Sequence, residues 1–526
     1  MRNHTLVAAA LLLSGATVMA TDYFMEGGDP GRTGWIKSEK MFTTANVGTT
    51  KLLWKTKLDN QPRSMHNLFP PLIAERVTTA DGPREIGVVA GVSDNVYGMD
   101  AATGRVLWQR KFDSTFAGNT NPGNDVLCPG GLTDVPYIAP TSTAGKYTVY
   151  IVSWDGRLRQ LNLADGQDVA PAEKFMPANG KPYALVVVDG VVYTATSQGC
   201  GGVANGFYSF DLATRKASFF TPGAGGLWGR RGVTVTPEGV VLLGSGDGAF
   251  NPTDRVLGNS LIGVKLDANK QLQLADYFAP PDANWLFRRD LDMNVSPVSF
   301  DYRGRKFLVM TSKACKLWLL DRDNMGGDDH RTALYTSPLI CNDAQAFDEK
   351  GVWGAMAAWQ DAAGAQWLAV PFWGPVSKTF KAPVEHSRPT TGGVATFKLA
   401  ESGGKWSLAP AWLSRNVDMG EEATYANGIL FTYGSGADQT QVVPDVAWDA
   451  PSGGRVGGGL SSGAARRIPL GRHATIYALD AATGRELWSS GDQITSFAHF
   501  TGITVANGRI YLGTYDGTMY CFGIAR

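Results

Sequence analysis

Two stretches near opposite ends of the chain have nearly the same sequence. Residues 96–111 read VYGMDAATGRVLWQRK, and residues 476–490 read IYALDAATGRELWSS. An internal repeat restricts the possible architectures, because each copy must fold alike and pack against its neighbours. The repeat therefore constrains the fold more than any other feature of the sequence.

One copy has the pattern of a β-hairpin. Tyr97 and Met99 alternate with small or polar residues at a period of two, which is typical of a half-buried strand. Asp100 can bond the local backbone and Gly104 accepts a positive φ, so the sequence predicts a turn at this point. The next strand ends in Trp108, a large aromatic residue that needs a neighbour to cover it.

Such a hairpin is stable only when similar units lie against it, which favours a propeller or a solenoid. Six partial copies lie elsewhere in the chain, at residues 156–162, 206–211, 260–267, 315–321, 393–397 and 517–522. Together with the two full copies they make eight units. We therefore predict an all-β fold, an eight-bladed β-propeller with four-stranded blades.

The last unit is incomplete, because too few residues follow Phe522 to form an outer strand. Residues 51–58, KLLWKTKL, match the strand that contains Trp108 but have no unit in front of them. We therefore predict that this N-terminal strand pairs with the C-terminal blade and closes the ring.

The N-terminus has the pattern of a secretory signal peptide. Arg2 precedes the apolar run Leu6–Leu13, and Val18–Ala20 resembles a cleavage site. The run is too short to span a membrane. We therefore predict a signal peptide at residues 1–20, a single propeller domain at residues 21–526, and a periplasmic or secreted protein.

Charge and composition argue against two classes of partner. The chain has 48 basic and 48 acidic residues and a formal net charge of zero, and we find no long basic run. Binding to nucleic acid or to an anionic membrane therefore has little support.

Five cysteines follow the predicted signal peptide, so a monomer leaves at least one unpaired. Cys521 lies within the last hairpin and is interpreted as a buried thiol. For the others we favour disulfides Cys128–Cys200 and Cys315–Cys341, although the sequence leaves the connectivity open.

Polar residues that could carry chemistry concentrate around the fourth unit. Residues 225–231 precede a predicted strand, residues 244–252 follow the next one, and residues 290–294 lead into the following blade. The segments that enter the innermost strands of a propeller converge at its central channel. Carboxylates that converge there are unfavourable unless a cation pairs with them or catalysis needs them.

Lys313 lies one strand later and could pair with these carboxylates. The alternative is that Asp247 and Asp292 only bond the backbone of their glycine-rich turns. The histidines lack the spacing of a metal site. His66 and His499 could point into the channel, but we favour a satisfied structural role for each.

The repeat, with its ALDAATGRxLW signature and eight copies, resembles the pyrroloquinoline-quinone (PQQ) repeat over essentially the whole mature chain. That family includes the quinoprotein alcohol dehydrogenases of the bacterial periplasm, such as methanol and polyvinyl alcohol dehydrogenases. It also includes non-catalytic members such as the outer-membrane assembly factor BamB. The repeat therefore specifies the fold far more strongly than the activity.

The resemblance implies roles for individual residues. Trp228 matches the tryptophan on which PQQ lies, Asp292 the catalytic base, and Lys313 the basic residue that polarises the quinone oxygens. Asp247 stands at the family's metal-binding asparagine and would still ligate calcium. The calcium ligands implied for this chain are Asp247, Asp292 and Asn251.

Two departures concern positions that contact the cofactor in the family. Cys200 stands where the family has a metal-binding glutamate, and a thiol is a poor ligand for a hard cation. Cys128 stands alone where many members have a vicinal cysteine pair. No Cys-x-x-Cys-His motif occurs, which excludes a covalently bound haem.

If the cofactor binds, the resemblance implies a PQQ-dependent alcohol dehydrogenase. Calcium and Lys313 would polarise the PQQ carbonyl, Asp292 would accept the alcohol proton, and electrons would pass to a separate acceptor such as a cytochrome. The substrate would be a small or polymeric alcohol, selected by insertions at residues 373–392 and 434–472. The alternative is a propeller that has lost its cofactor and serves as a binding scaffold, as BamB does.

Overall fold

The computed structural model describes residues 21–116, 118–120, 124–223, 225–345, 347, 350–440 and 463–524. The predicted signal peptide and most of the second insertion lie outside these ranges. The described residues form an all-β, eight-bladed propeller of antiparallel sheets, as predicted.

The strands of each blade are ordered from the innermost, at the channel, to the outermost. Blade 1 consists of Leu72–Thr79, Gly82–Gly91, Asn95–Asp100 and Val106–Lys111, and blade 2 of Tyr137–Pro140, Tyr147–Val152, Arg157–Asn162 and Asp168–Lys174. Blade 3 consists of Val186–Val188, Val191–Thr196, Gly206–Asp211 and Lys216–Phe220. Blade 4 has a split innermost strand, Gly226–Trp228 with Thr234–Val235, followed by Val241–Gly246, Leu261–Leu266 and Leu272–Phe278.

The other four blades follow the same order. Blade 5 consists of Val298–Tyr302, Arg305–Thr311, Leu317–Asp321 and Tyr335–Thr336, and blade 6 of Ala357–Gln360, Gln366–Trp373, Gly392–Ser402 and Lys405–Leu413. Blade 7 consists of Gly420–Ala426, Ile429–Gly434, Thr475–Asp480 and Glu486–Ser489. Blade 8 consists of Ile503–Ala506, Arg509–Gly513, Thr518–Gly523 and Lys51–Lys57. Blade 6 gains a short parallel strand, Val384–Glu385, and Phe250–Asn251 pairs with Val256–Leu257 in a separate hairpin.

Helices are short and lie in the connections. They comprise Val47–Thr49, Asn124–Leu127, Cys200–Gly202, Pro252–Asp254, Ala283–Arg288, Gly327–Asp329, Ala464–Arg467 and Ile468–Leu470. Over the described ranges, none of them has the length and apolar character needed to cross a bilayer.

All eight copies of the repeat fall on the third strand of a blade, so the repeat count gives the blade count. The closing strand is also where the sequence predicts it. Lys51–Lys57 runs antiparallel to Thr518–Gly523 and completes blade 8.

The structure explains why the repeat contains both a tryptophan and a glycine. Trp108 of blade 1 lies against Gly166 in a turn of blade 2, where an added β-carbon would be 2.5 Å from the indole ring. The Trp108 indole N–H donates to the Leu163 carbonyl at 2.8 Å. The same contact recurs between blades 8 and 1 and between blades 6 and 7, as Trp54 with Gly104 and Trp412 with Gly484. The repeat thus encodes packing between neighbouring blades.

Both favoured disulfides are present, and Cys521 is a buried free thiol. Cys128–Cys200 joins residues 72 apart, and Cys315–Cys341 joins residues 26 apart. The first crosslink ties the connection after blade 1 to blade 3.

Replacing both Cys128 and Cys200 by serine should lower the free energy of unfolding by about 2 to 4 kcal/mol, because the unfolded chain gains freedom. The loss should exceed that of the Cys315→Ser, Cys341→Ser variant by about 1 kcal/mol, since the first bridge closes the longer loop. Guanidinium denaturation of both variants, each compared with dithiothreitol-treated wild type, measures this. Equal losses in the two variants would show that loop length does not decide the effect.

Candidate functional site

Antiparallel pairing brings the predicted site residues to one end of the central channel. The start of each innermost strand lies beside the end of the second strand of its blade. Asp290 and Asp292 precede the innermost strand Val298–Tyr302, and Lys313 follows its partner Arg305–Thr311. Asp247 follows the second strand of blade 4. These connections therefore meet at the hub.

Three carboxylates and one ammonium group form the centre of the site. Lys313 Nζ lies 2.8 Å from Asp290 Oδ1 and 2.6 Å from Asp292 Oδ2. The Asp247 backbone N–H donates to Asp292 Oδ1 at 3.0 Å. One carboxylate oxygen from each of Asp247, Asp290 and Asp292 lies within 4.8 Å of the others. We call these three residues the acidic cluster.

A glycine allows the acidic cluster to assemble. At Gly246, a β-carbon would lie 2.3 Å from Asp292 Cγ. The Gly-Ser-Gly sequence before Asp247 therefore leaves the room that Asp292 occupies. Asp247 itself has a φ of 53° and accepts a hydrogen bond from Gln198 Nε2 at 2.9 Å.

Burial and charge act in opposite directions on these groups. Burial alone would lower the pKa of Lys313, but the carboxylates of Asp290 and Asp292 raise it above its usual value. Burial would likewise raise the pKa of Asp292, but Lys313 and the hydrogen bonds around it lower it. The pKa of Asp290 rises to about 8, chiefly through burial. One carboxylate of the pair is thus held ionised, and the other retains affinity for a proton.

Trp228 ends the first half of the split innermost strand of blade 4 and pairs with Gly244. Its ring is partly exposed, although it lies at the hub. Its indole N–H is buried and has no acceptor within the described part of the chain. Trp228 therefore offers a flat surface and an unused donor next to the acidic cluster.

Asn251 does not join the acidic cluster. It lies in the small hairpin of blade 4 with an exposed side chain, whose amide donates to Asp254 Oδ2 at 2.7 Å. The hydrogen bonds of the described residues do not connect it with Asp247 or Asp292, and its role as a cation ligand stays a prediction.

Cys128 and Cys200 are joined to each other, so Cys200 offers no thiolate to a metal. The side chain from this connection that reaches the acidic cluster is Gln198. The disulfide lies beside the hub, since Cys200 Sγ is 3.6 Å from the Leu127 carbonyl, which also accepts from Lys181 Nζ.

Sequence reasoning missed an aromatic wall on the other side of Lys313. Trp353 stacks on Trp373 with ring centres 4.9 Å apart, and Trp373 stacks on Phe500 at 5.5 Å. Lys313 Nζ lies 4.8 Å from the Trp353 ring and 4.3 Å from the Phe347 ring. Gly-Val-Trp-Gly at residues 351–354 repeats the Trp-Gly pair at 228–229 and could have indicated Trp353.

Two histidines also face the hub. His66 and His499 are buried with ring centres 6.0 Å apart. Among the described residues, neither ring nitrogen of His499 forms a hydrogen bond, nor does Nδ1 of His66, although His499 Nδ1 lies 3.4 Å from Glu421 Oε1. The interpretation of His499 as a structural residue with satisfied hydrogen bonds is therefore not supported by these contacts. His386 and His473 do bond backbone carbonyls, as a structural role requires.

Sequence comparison gives the family. A PQQ-repeat family model, described as outer membrane protein assembly factor BamB, matches residues 42–231 and 435–525, more than half of the chain. The chain belongs to the PQQ-repeat family. No curated protein sequence matches this PQQ-repeat protein.

Solved structures of the same fold include several dehydrogenases. The quinohemoprotein alcohol dehydrogenase of Comamonas testosteroni is 16% identical with a TM-score of 0.57, covering 96% of this chain and 81% of its own. The enzyme ADHIIG of Pseudomonas putida HK5 is 14% identical with a TM-score of 0.57, covering 96% and 80%. A europium-containing methanol dehydrogenase is 13% identical with a TM-score of 0.57, covering 96% and 98%. At these identities the likeness concerns the fold.

Proposed function

We propose that this PQQ-repeat protein is a quinoprotein dehydrogenase that oxidises an alcohol and passes the electrons to a separate acceptor such as a cytochrome. The observation that carries the proposal is the buried Lys313 that joins Asp290 to Asp292 beside Asp247 and the accessible face of Trp228. A purely structural hub has no use for three converging carboxylates.

The residues at the hub fit PQQ and a hard cation. The acidic cluster supplies carboxylate oxygens, the donors that calcium prefers. Trp228 offers a flat ring and an indole N–H without an acceptor among the described residues, and Lys313 offers a cation at the acidic cluster. When bound, PQQ would supply the two-electron acceptor for the oxidation.

Within this proposal, the chain's own residues position the alcohol and take its proton. Asp292 has both oxygens engaged, by Lys313 and by the Asp247 N–H, and is held ionised. The resemblance implies that Asp292 is the base, but these contacts suit it better to holding a cation. Asp290 has the raised pKa, so we assign it the hydroxyl proton of the alcohol. Trp353 and Phe347 exclude water from the Lys313 ammonium.

We also propose that residues 1–20 direct the chain to the periplasm or out of the cell and that residues 21–526 act as one domain. Two disulfides support an oxidising compartment. A cofactor-free scaffold is the second candidate function. It is favoured by the family model's description as an assembly factor and by the absence of a metal-binding glutamate at Cys200.

Reconstitution tests the proposed function. Purified protein is incubated with PQQ and calcium, passed over a desalting column, and assayed for quinone absorbance and for dye reduction with a series of primary alcohols. We expect both signals in the wild type, and a loss of at least about tenfold in PQQ affinity for Trp228→Ala, because the stacking surface is removed. Trp488→Ala, on the outermost strand of blade 7, is the control. Absence of both signals in the wild type would favour the scaffold.

A further inference from the structure

Two basic side chains near Trp228 form no ion pair with any residue that the structure describes, although the charge of one of them, Arg230, acts on the buried Glu421. Lys181 is buried, and its Nζ donates to the Leu127 carbonyl at 2.6 Å while lying 5.9 Å from the Trp228 ring centre. Arg230 follows Trp228 by two residues, and its guanidinium carbon lies 4.6 Å from the Phe500 ring centre. Among the described residues, no side chain or carbonyl accepts a hydrogen bond from the Arg230 guanidinium, and no carboxylate pairs with Lys181.

Three other basic residues, all buried, have more partners than Lys181 or the partly exposed Arg230. Arg231 pairs with Glu422 and donates to two backbone carbonyls. Arg32 donates to three carbonyls, and Lys313 has two carboxylates. Lys181 and Arg230 thus have fewer partners among the described residues than these three cations have. A guanidinium carries five donors in a planar fork that matches a carboxylate.

The two cations also repel each other. Burial lowers the pKa of Lys181 to about 7, and the charge of Arg230 acts in the same direction. Placing two like charges together at a buried site is unfavourable unless an anion joins them.

Two neutral histidines, His66 and His499, lie near Lys181 and Arg230. His499 lies against Phe500, with ring centres 4.2 Å apart, so it shares this ring with Arg230. Burial lowers the pKa of both His66 and His499 well below the usual value, with the Lys181 charge contributing at both. His66 Nδ1 and His499 Nε2, which form no hydrogen bond with a described residue, are therefore neutral donors or acceptors at the edge of the same space, while His499 Nδ1 lies 3.4 Å from Glu421 Oε1.

We infer that Lys181 and Arg230 form a carboxylate-binding subsite for a planar aromatic ligand that lies against Trp228. Nothing in the family match or in the structural comparisons assigns this role to either residue. The inference deepens and rests on the proposed function, because PQQ is a planar ring system with three carboxylates. The two basic groups would bind carboxylates at one edge of such a ligand, while Lys313 and the acidic cluster lie on another side of the hub.

Calorimetric titration of the full chain with three probes tests the subsite. The probes are PQQ, trimellitate, which is a benzene ring with three carboxylates and no redox chemistry, and inorganic phosphate. We expect Lys181→Met and Arg230→Gln each to weaken PQQ and trimellitate binding by about 10- to 100-fold, because each removes a charge-assisted hydrogen bond. Phosphate should bind more weakly than trimellitate, since it cannot stack on Trp228.

The chain offers matched controls for both substitutions. Lys37 lies 4.6 Å from the Trp35 ring, and Arg303 lies 5.1 Å from the Tyr302 ring, both on the surface. Lys37→Met and Arg303→Gln remove the same charges from similar aromatic contacts. These two variants should leave the affinities for PQQ and for trimellitate within about twofold of the wild type, because exposed cations near a ring contribute little to binding.

Thermal stability separates a ligand-binding role from a structural one. Without ligand, the folded protein binds fewer protons at Lys181 than the unfolded chain between pH 7 and the usual lysine pKa of about 10.4. This site therefore makes stability rise with pH across that window. The titratable and charged groups that face it are Arg230, His66, His499 and Tyr183, whose ring centre lies 5.8 Å from Lys181 Nζ. Lys181→Met should raise the melting temperature at pH 6 and flatten this rise, even as it weakens ligand binding.

The outcomes distinguish the subsite from the proposed function. If trimellitate binds and the two variants weaken it, while PQQ neither binds nor supports dye reduction, the subsite stands and the dehydrogenase proposal fails. If PQQ binds the wild type and the Lys181→Met, Arg230→Gln double variant equally well, the subsite is wrong and the dehydrogenase stands. Binding of neither trimellitate nor PQQ to the wild type overturns the subsite as well.

Discussion

Replacing Lys313 by methionine will lower the free energy of unfolding by about 3 to 5 kcal/mol, because it leaves two buried carboxylates without their cation. Lys313 Nζ contacts Asp290 and Asp292 at 2.8 and 2.6 Å, and all three side chains are largely removed from solvent. Guanidinium denaturation at pH 8 in EDTA measures the loss. Dye reduction by the reconstituted variant should fall as well, since the cation at the acidic cluster is gone.

Calcium should restore much of the stability of Lys313→Met. Without the ammonium, the acidic cluster becomes a site of three carboxylates whose oxygens already lie within 4.8 Å of one another. A ligand that binds only the folded state raises stability in proportion to the logarithm of its concentration above Kd. The melting temperature of the variant should therefore rise with calcium more steeply than that of the wild type, in which Lys313 competes for the same oxygens.

Arg231→Met provides the control for this experiment. Arg231 and Glu422 form a fully buried ion pair at 2.6 Å, so breaking it should destabilise the protein by a similar amount. The acidic cluster is unchanged in that variant, and calcium should stabilise it no more than it does the wild type. If calcium rescues Arg231→Met as well as Lys313→Met, or rescues neither, the acidic cluster is not a cation site.

The repeat predicts the architecture because it encodes contacts between neighbouring blades. Trp108 needs a cover and Gly166 can provide one, so the pair fixes how one blade follows the next. The incomplete last unit likewise predicts the strand at residues 51–57 that closes the ring. The innermost strands carry no such signature. In blade 4 this strand is split in two, a break that no feature of the repeat indicates.

The acidic cluster is predictable in part, since Asp292 and Lys313 lie near strand ends that antiparallel pairing must bring together. The sequence gives no sign that Asn251 lies in a separate hairpin, paired with Val256, so its relation to Asp247 cannot be read from its spacing along the chain. Lys181, Arg230 and His499 escape sequence reasoning as a group for another reason. They come from three different blades or connections, and their relation depends on ring geometry rather than on spacing along the chain.

Asp290→Asn will reduce alcohol-dependent turnover by about 10²- to 10⁴-fold, the usual contribution of a general base, while leaving PQQ affinity within about threefold. An amide cannot accept the proton, but it is nearly isosteric and keeps an oxygen toward Lys313. Asp292→Asn should have a different signature. Since Asp292 accepts from both Lys313 and the Asp247 N–H, its loss should weaken calcium and PQQ binding, and excess calcium should restore part of the turnover.

Steady-state assays with separate PQQ and calcium titrations distinguish the two aspartates. A lower kcat at saturating cofactor identifies the base, whereas a higher requirement for calcium identifies a cation ligand. Asp254→Asn, at an exposed position in the small hairpin of blade 4, is the control and should match the wild type in both measurements. If Asp292→Asn loses turnover with its cofactor bound and Asp290→Asn stays active, the base is Asp292, as the resemblance alone implies. Asp290 and Asp292 share the ammonium group of Lys313. Comparing the two asparagine variants therefore also shows whether Lys313 positions both carboxylates or only one of them.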